Sequence, residues 1–141
     1  MVALASLVAA GACGSSSDSP TGPAVPTTPV GSYTITTVNG KALPVALFAD
    51  ASYTYEVTQG KLSLGSDGKY SVVTTFRQTL PGSVETFVDS TGGTWLQTGN
   101  AIAMTNSQDG SLDNATWDKG ILTFVEVDGK ATTTYIYGLK K

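Results

Sequence analysis

Apolar and polar residues alternate with a period of two along most of the chain after Val30. Tyr53, Tyr55 and Val57 share one parity while Thr54, Glu56 and Thr58 share the other. The same period separates Tyr70, Val72, Thr74 and Phe76 from Ser71, Val73, Thr75 and Arg77. Successive side chains of a strand point to opposite faces, so this pattern predicts strands with one buried and one wet face. Ile121, Thr123 and Val125 against Leu122, Phe124 and Glu126 is apolar on both parities, which predicts a central strand.

The strand-length segments are YTITTV, YTYEV, KLSL, KYSVVTTF, VETFVD, TWLQ, AIAMT, NATW, ILTFVEV and TTTYIYGL, rich in β-branched and aromatic residues. Some merge, which leaves eight to ten strands. Between them fall Asn39-Gly40, Asp67-Gly68, Gly92-Gly93, Gly99-Asn100, Asp109-Gly110 and Asp128-Gly129, pairs that tolerate the positive φ of tight turns. Only Leu43 to Ser52 offers room for a helical turn, and Pro44 with Asp50 favours a loop or a short 3₁₀ piece there. Consecutive strands with tight connections predict an all-β antiparallel up-and-down meander. Closure into a small barrel removes its edges, with a flattened sandwich as the alternative.

The first thirty residues have a different character. Residues 1–12, MVALASLVAAGA, form an uncharged apolar run, too short to span a bilayer, that ends in small residues directly before Cys13. The stretch Ala10-Gly11-Ala12-Cys13 resembles the bacterial lipobox, with Ala10 where leucine is commonest. That resemblance implies an export signal over 1–12, lipidation of Cys13 and a membrane anchor, with Gly14 after the cysteine favouring the outer membrane in an organism that has one. No Lys or Arg precedes the apolar run, from which a true start upstream of Met1 is expected. Residues 13–29 carry Ser, Gly and Pro with nothing to pack, a tether between the anchor and a domain over 30–141.

Composition narrows the function classes. The chain has 141 residues, eight basic and eleven acidic, for a net charge of -3, so the positive field that gathers nucleic acid is missing. There is no histidine, which excludes Ser-His-Asp and Cys-His catalysis. The single cysteine cannot build a zinc site and is better used by lipid. Carboxylates remain: Glu56, Glu85 and Glu126 lie in strands beside Thr, on what should be an outer face, and a catalytic pair among them ranks last. Asp109, Asp113 and Asp118 lack the spacing of a calcium loop and read as turn formers.

GSYTITTVNGKALP, with Gly31 and Tyr33 before an Asn-Gly turn and a Leu-Pro pair, resembles the first strand of bacterial lipocalin-like domains. The match carries Tyr for the family's Trp, and Lys140-Lys141 where an arginine is usual. TWLQTGNAIAMT resembles the hairpins of the same lipoproteins. The resemblance implies that the eight to ten strands close into a small lipocalin-like barrel; one of eight strands is just wide enough to be filled by side chains or to hold one small ligand.

Tyr53, Tyr55, Phe76, Trp95, Trp117 and Tyr135 fall on expected strands and serve either a packed core or a ligand-binding wall. The reading that follows is a non-enzymatic, monomeric cell-envelope lipoprotein, membrane-anchored through Cys13, without a cofactor, whose barrel takes a small apolar or amphipathic molecule. The alternative is an envelope interaction or scaffold domain that recognises a protein or glycan through its outer face or loops.

Overall fold

The computed structural model describes residues 26–140. The expected signal over 1–12, Cys13 and most of the tether lie outside the described residues. Ten strands follow one another: β1 (Gly31–Val38), β2 (Lys41–Ala42), β3 (Val45–Ala49), β4 (Thr54–Leu64), β5 (Lys69–Leu80), β6 (Ser83–Thr98), β7 (Ala101–Asn106), β8 (Leu112–Asp118), β9 (Ile121–Asp128) and β10 (Ala131–Leu139). They form one antiparallel sheet in the order β2-β1-β10-β9-β8-β7-β6-β5-β4-β3. A further pairing of β1 with β4, from Gly31↔Leu64 to Thr34↔Lys61, closes eight of them into a barrel. The expected meander and its closure are both present, and the sandwich is not formed.

β2 and β3 stand outside that count, and they have a clear use. Beyond Thr34 the closing strands part, and β1 continues against β2 (Thr37↔Ala42) while β4 continues against β3 (Val45↔Val57). The segment read as a loop or 3₁₀ turn is therefore a strand over Val45–Ala49. Pro44 has no N–H to give, and it stands just before that strand, where no ladder bond is required of it. Val45 is buried beneath the seam with Val38 and Val57.

Alternation fixes which side chains fill the barrel, but two bulges move its phase. In β1 Tyr33 and Ile35 point inward, the register slips at Thr36, and Val38 is the next inward residue. In β4 Val57 is inward, the register slips at Thr58, and Leu62 and Leu64 follow on the other parity. At each bulge the threonine hydroxyl caps a carbonyl of the neighbouring strand: Thr36 Oγ1 donates to Ile136 O at 3.0 Å, and Thr58 Oγ1 to Thr75 O at 3.0 Å. A bulge leaves one residue out of the ladder, and these hydroxyls restore part of the lost bonding.

Gly92-Gly93, expected as a turn, lies instead inside β6, which runs unbroken through VETFVD and TWLQ. YTYEV and KLSL likewise join through Gly60 into β4. Two turns absent from the expectation supply the remaining reversals. At Pro81-Gly82 proline pre-sets the first φ and Gly82 takes φ 81°. At Lys119-Gly120 the two φ values are 46° and 91°.

The core sits at the end of the barrel where β1 begins. Tyr33, Leu64, Ile102, Trp117, Leu122 and Tyr137 are all buried there or just above. The Tyr33 hydroxyl donates to Pro29 O at 2.6 Å, so residues just before β1 fold across this end. Trp95 Nε1 donates to Gly65 O at 3.0 Å and ties β6 to the β4–β5 turn. One end is thus a floor. At the other, β5 and β6 outrun their neighbours and every residue from 81 to 90 is exposed.

Candidate functional site

A cavity of about 480 Å³ occupies the open half of the barrel. Its size lies within the range of roughly 300–1,000 Å³ usual for small-molecule sites. Inward-facing residues make up most of its lining, and beyond the end of the β8–β9 ladder it also meets Leu112, Asn114, Val125 and Val127 of the other parity. β5 contributes Tyr70, Val72, Thr74 and Phe76, β6 Asp89 and Thr91, β9 Phe124 and Glu126, and β10 Tyr135 and Tyr137, with Leu62 and Met104 beneath. Asp113 enters from β8, two residues before the inward Ala115.

The wall is aromatic on one side. Phe76 stacks on Tyr55 with ring centroids 5.0 Å apart and an interplanar angle of 9°. Tyr55 lies nearly parallel to Tyr53 at 6.4 Å, and Tyr53 meets Phe48 at 5.6 Å. Four rings thus run from the exposed Phe48 down into the cavity. Asp50 positions the second of them: its carboxylate accepts from the backbone N–H of Ser52 and of Tyr53, each at 2.8 Å, and fixes the turn into β4. Those bonds, Ser52's first, hold the Asp50 carboxyl below the usual carboxylate range. Across the cavity Phe124 meets Tyr137 edge-on at 5.4 Å. Such pairs prefer offset or tilted geometries and contribute about 0.5–1.5 kcal/mol beyond the area they bury.

Tyrosine hydroxyls, with Thr74 and Thr91 beside them, supply polar groups to the cavity below its mouth. Burial pushes the Tyr137 phenol up to about 12, partly opposed by a hydrogen bond with Thr74 and reinforced by the Glu126 charge. Burial also raises Tyr135 strongly, with the Glu126 carboxylate beside it adding to the effect. Tyr70 is raised by burial, with Thr91 opposing and the charge of Asp113 reinforcing. The Tyr70 hydroxyl and Thr91 Oγ1 are both buried, side by side, and have no partner beyond each other among the described residues.

The residues singled out from the sequence divide between the two ends. Phe76 and Tyr135 line the cavity, and Tyr55 and Tyr53 extend its aromatic side. Trp95 and Trp117 lie toward the floor, outside the cavity lining. Among the carboxylates, Glu126 overturns its expected outer placement: it shares parity with the buried Leu122 and with Phe124, and it lines the cavity. Glu56 does face outward, where Arg77 Nε and Nη2 both donate to its Oε2 at 2.8 and 2.7 Å. Glu85 is exposed on the β5–β6 hairpin.

Of the three aspartates weighed as calcium ligands, Asp109 holds a turn by accepting from Ser111 N at 2.9 Å, Asp113 lines the cavity and Asp118 ends β8 at the floor. They are not brought to one point. Asp89 and Asp113 were missed as site residues, although Asp89 shares a parity with Thr91 and Trp95 that the glycine pair had appeared to interrupt. Comparison of the chain with protein-family models, with curated proteins and with solved structures gave no match.

Proposed function

We propose that the chain is a non-enzymatic cell-envelope lipoprotein whose lipocalin-like barrel binds one small hydrophobic or amphipathic molecule. The observation that carries the reading is the open cavity of about 480 Å³, with an apolar base of Leu62, Val72 and Met104 and an aromatic wall. A barrel whose only task is to be stable gains by filling such space, because each unfilled volume forfeits dispersion contacts. Tyr and Phe on paired strands form a rigid wall that loses little conformational freedom when a ligand arrives.

Nile red, a neutral apolar fluorophore, tests this directly. The full-length chain is expected to enhance and blue-shift its emission with a saturable, single-site isotherm. Val72→Trp, which fills the base of the cavity with an indole, should weaken binding by about tenfold or more, and Val72→Phe by less, with far-UV circular dichroism retained. Emission unchanged by the protein, or equal binding by folded Val72→Trp, defeats the proposal.

The anchor at Cys13 rests on the lipobox resemblance. Cys13→Ala is expected to move the protein expressed in a bacterial host from the detergent-rich to the aqueous phase on phase partitioning, since acyl chains supply about 0.8 kcal/mol per buried methylene. Equal partitioning of both forms into the detergent-rich phase would place the membrane attachment elsewhere.

The second reading, an interaction domain, is favoured by one feature. On the extended β5–β6 hairpin Val84 and Val88 are each 65% exposed, with Leu80 and Phe87 also uncovered. By their pairing with Thr79 and Thr75, Val84 and Val88 lie on the outer face of the hairpin, whereas Leu80 and Phe87 lie on the face of Phe76; exposed apolar residues on a protruding hairpin suit a contact surface.

A further inference from the structure

We infer that the cavity is selective for an amphipathic organic cation, an aryl- or alkylammonium whose charge is held among the lining carboxylates and whose apolar part packs on the aromatic wall. The inference rests on the binding reading above and specifies its ligand. Three carboxylates line the cavity, Asp89, Asp113 and Glu126, and no Lys or Arg does. The β8–β9 ladder ends at Ala115↔Phe124, and beyond that pair Asp113 and Glu126 continue the inward parity of their two strands into the cavity lining. Asp89 lies on the far side, on β6, where its charge reaches Tyr55. None of the three is in an ion pair with a described residue; the nearby guanidinium of Arg77 is spent on Glu56 outside the barrel.

A second, independent observation points the same way. Tyr70 is only 5% exposed, and its hydroxyl and the Thr91 Oγ1 beside it have no hydrogen-bond partner beyond each other among the described residues. A buried hydroxyl left unmade costs about 1–3 kcal/mol, so the wall is completed by a ligand that brings hydrogen-bonding groups to this level. The Asp113 charge bears on the same Tyr70 hydroxyl. An ammonium there has donors for both the hydroxyl oxygen and the carboxylate, whereas a ligand carboxylate would meet only like charge.

The aromatic faces of Phe76, Phe124 and Tyr135 add a quadrupole attraction for cations. A bare metal ion is a poorer fit, because among the described residues no group of three His, Cys, Asp or Glu side chains comes close enough together to hold one. The carboxylates surround a volume instead of a point.

Calorimetric titration of the full-length chain with three near-isosteric probes decides it: 4-phenylbutylammonium, 5-phenylpentanoate and the neutral 5-phenylpentanol. The cation is expected to bind about tenfold or more tightly than the carboxylate, with a preference that shrinks as salt is raised. Asp113→Asn with Glu126→Gln should cut that preference to about threefold or less, read as the ratio of cation to alcohol affinity in the same variant. Asp89→Asn alone, a milder variant, should lower it part of the way. If the alcohol and the carboxylate bind as tightly as the cation, the charge selectivity is wrong and the binding reading stands. If none of the three binds, both fall.

Discussion

Gly93→Ala is expected to destabilise the barrel by about 3 kcal/mol or more, at the upper end of overpacking effects. A Cβ on Gly93 would overlap the carbonyl oxygen of Thr105 and lie 3.0 Å from Ser107 N. These are backbone atoms, so no rotamer change relieves the overlap. Thr105 belongs to β7, where it pairs with Thr94, and Gly93 itself pairs with Tyr70 on one side and Asn106 on the other. Ser107 N and Ser107 Oγ both donate to Gly92 O, at 3.0 and 2.9 Å, and hold the strands in this close approach.

To admit one methyl group, the end of β7 has to peel away from β6 and surrender those bonds. Urea unfolding of the variant measures the effect, with the exposed Thr94→Ala as a control expected to cost under about 1 kcal/mol. A loss at Gly93→Ala no larger than the control's would mean that β6 and β7 do not cross so closely.

Gly93 also shows why part of the fold was legible in the sequence and part was not. Two adjacent glycines have the composition of a turn, and local chemistry alone does not distinguish a reversal from a strand that needs close contact with a neighbour. The distinction is set by β7, which contributes Thr105 and Ser107 from elsewhere in the chain. Where period-two alternation was uninterrupted, as from Tyr70 to Phe76, both the strand and its inward face were readable. Where a bulge intervened, as at Thr36 and Thr58, threonine looked like any other strand former, and the phase change had no local signal.

The site was legible in the same measure. Phe76 and Tyr135 are large, strand-borne and inward, and aromaticity marked them. Glu126 was assigned to the outside because carboxylates are usually solvated, although its own parity with Leu122 and Phe124 argued the reverse. An open cavity admits water, so an inward carboxylate near the mouth carries little of the desolvation penalty that makes such residues rare in closed cores. Which interior positions face a cavity and which face a packed floor depends on closure and strand length. That is why Trp95 and Trp117 were not separable from Tyr55 and Phe76 by residue type.

Those inward tyrosines give the second large effect, a cooperative alkaline unfolding that begins above about pH 10. Burial raises the folded-state pKa of Tyr33, Tyr55, Tyr70, Tyr135 and Tyr137. Below the unfolded value of about 10, both states keep their phenolic protons and the full stability is present. Above it the unfolded chain releases them first, the folded state binds more protons, and stability falls as pH rises toward the folded values. Tyr137, pushed up to about 12, alone accounts for roughly 2–3 kcal/mol across that window. Tyr135 adds to this because burial and Glu126 raise it further.

Domain stabilities are about 5–15 kcal/mol, so losses from several tyrosines together consume much or all of the margin. Phenolate absorbance and loss of far-UV circular dichroism should therefore rise together in one transition, and Tyr137→Phe or Tyr135→Phe should move its midpoint to higher pH by removing one proton from the linkage. Phenolate signal that develops smoothly around pH 10 with the β-sheet spectrum intact would instead show that these hydroxyls ionise freely in the folded barrel, and the buried environment assigned to Tyr137 would be wrong.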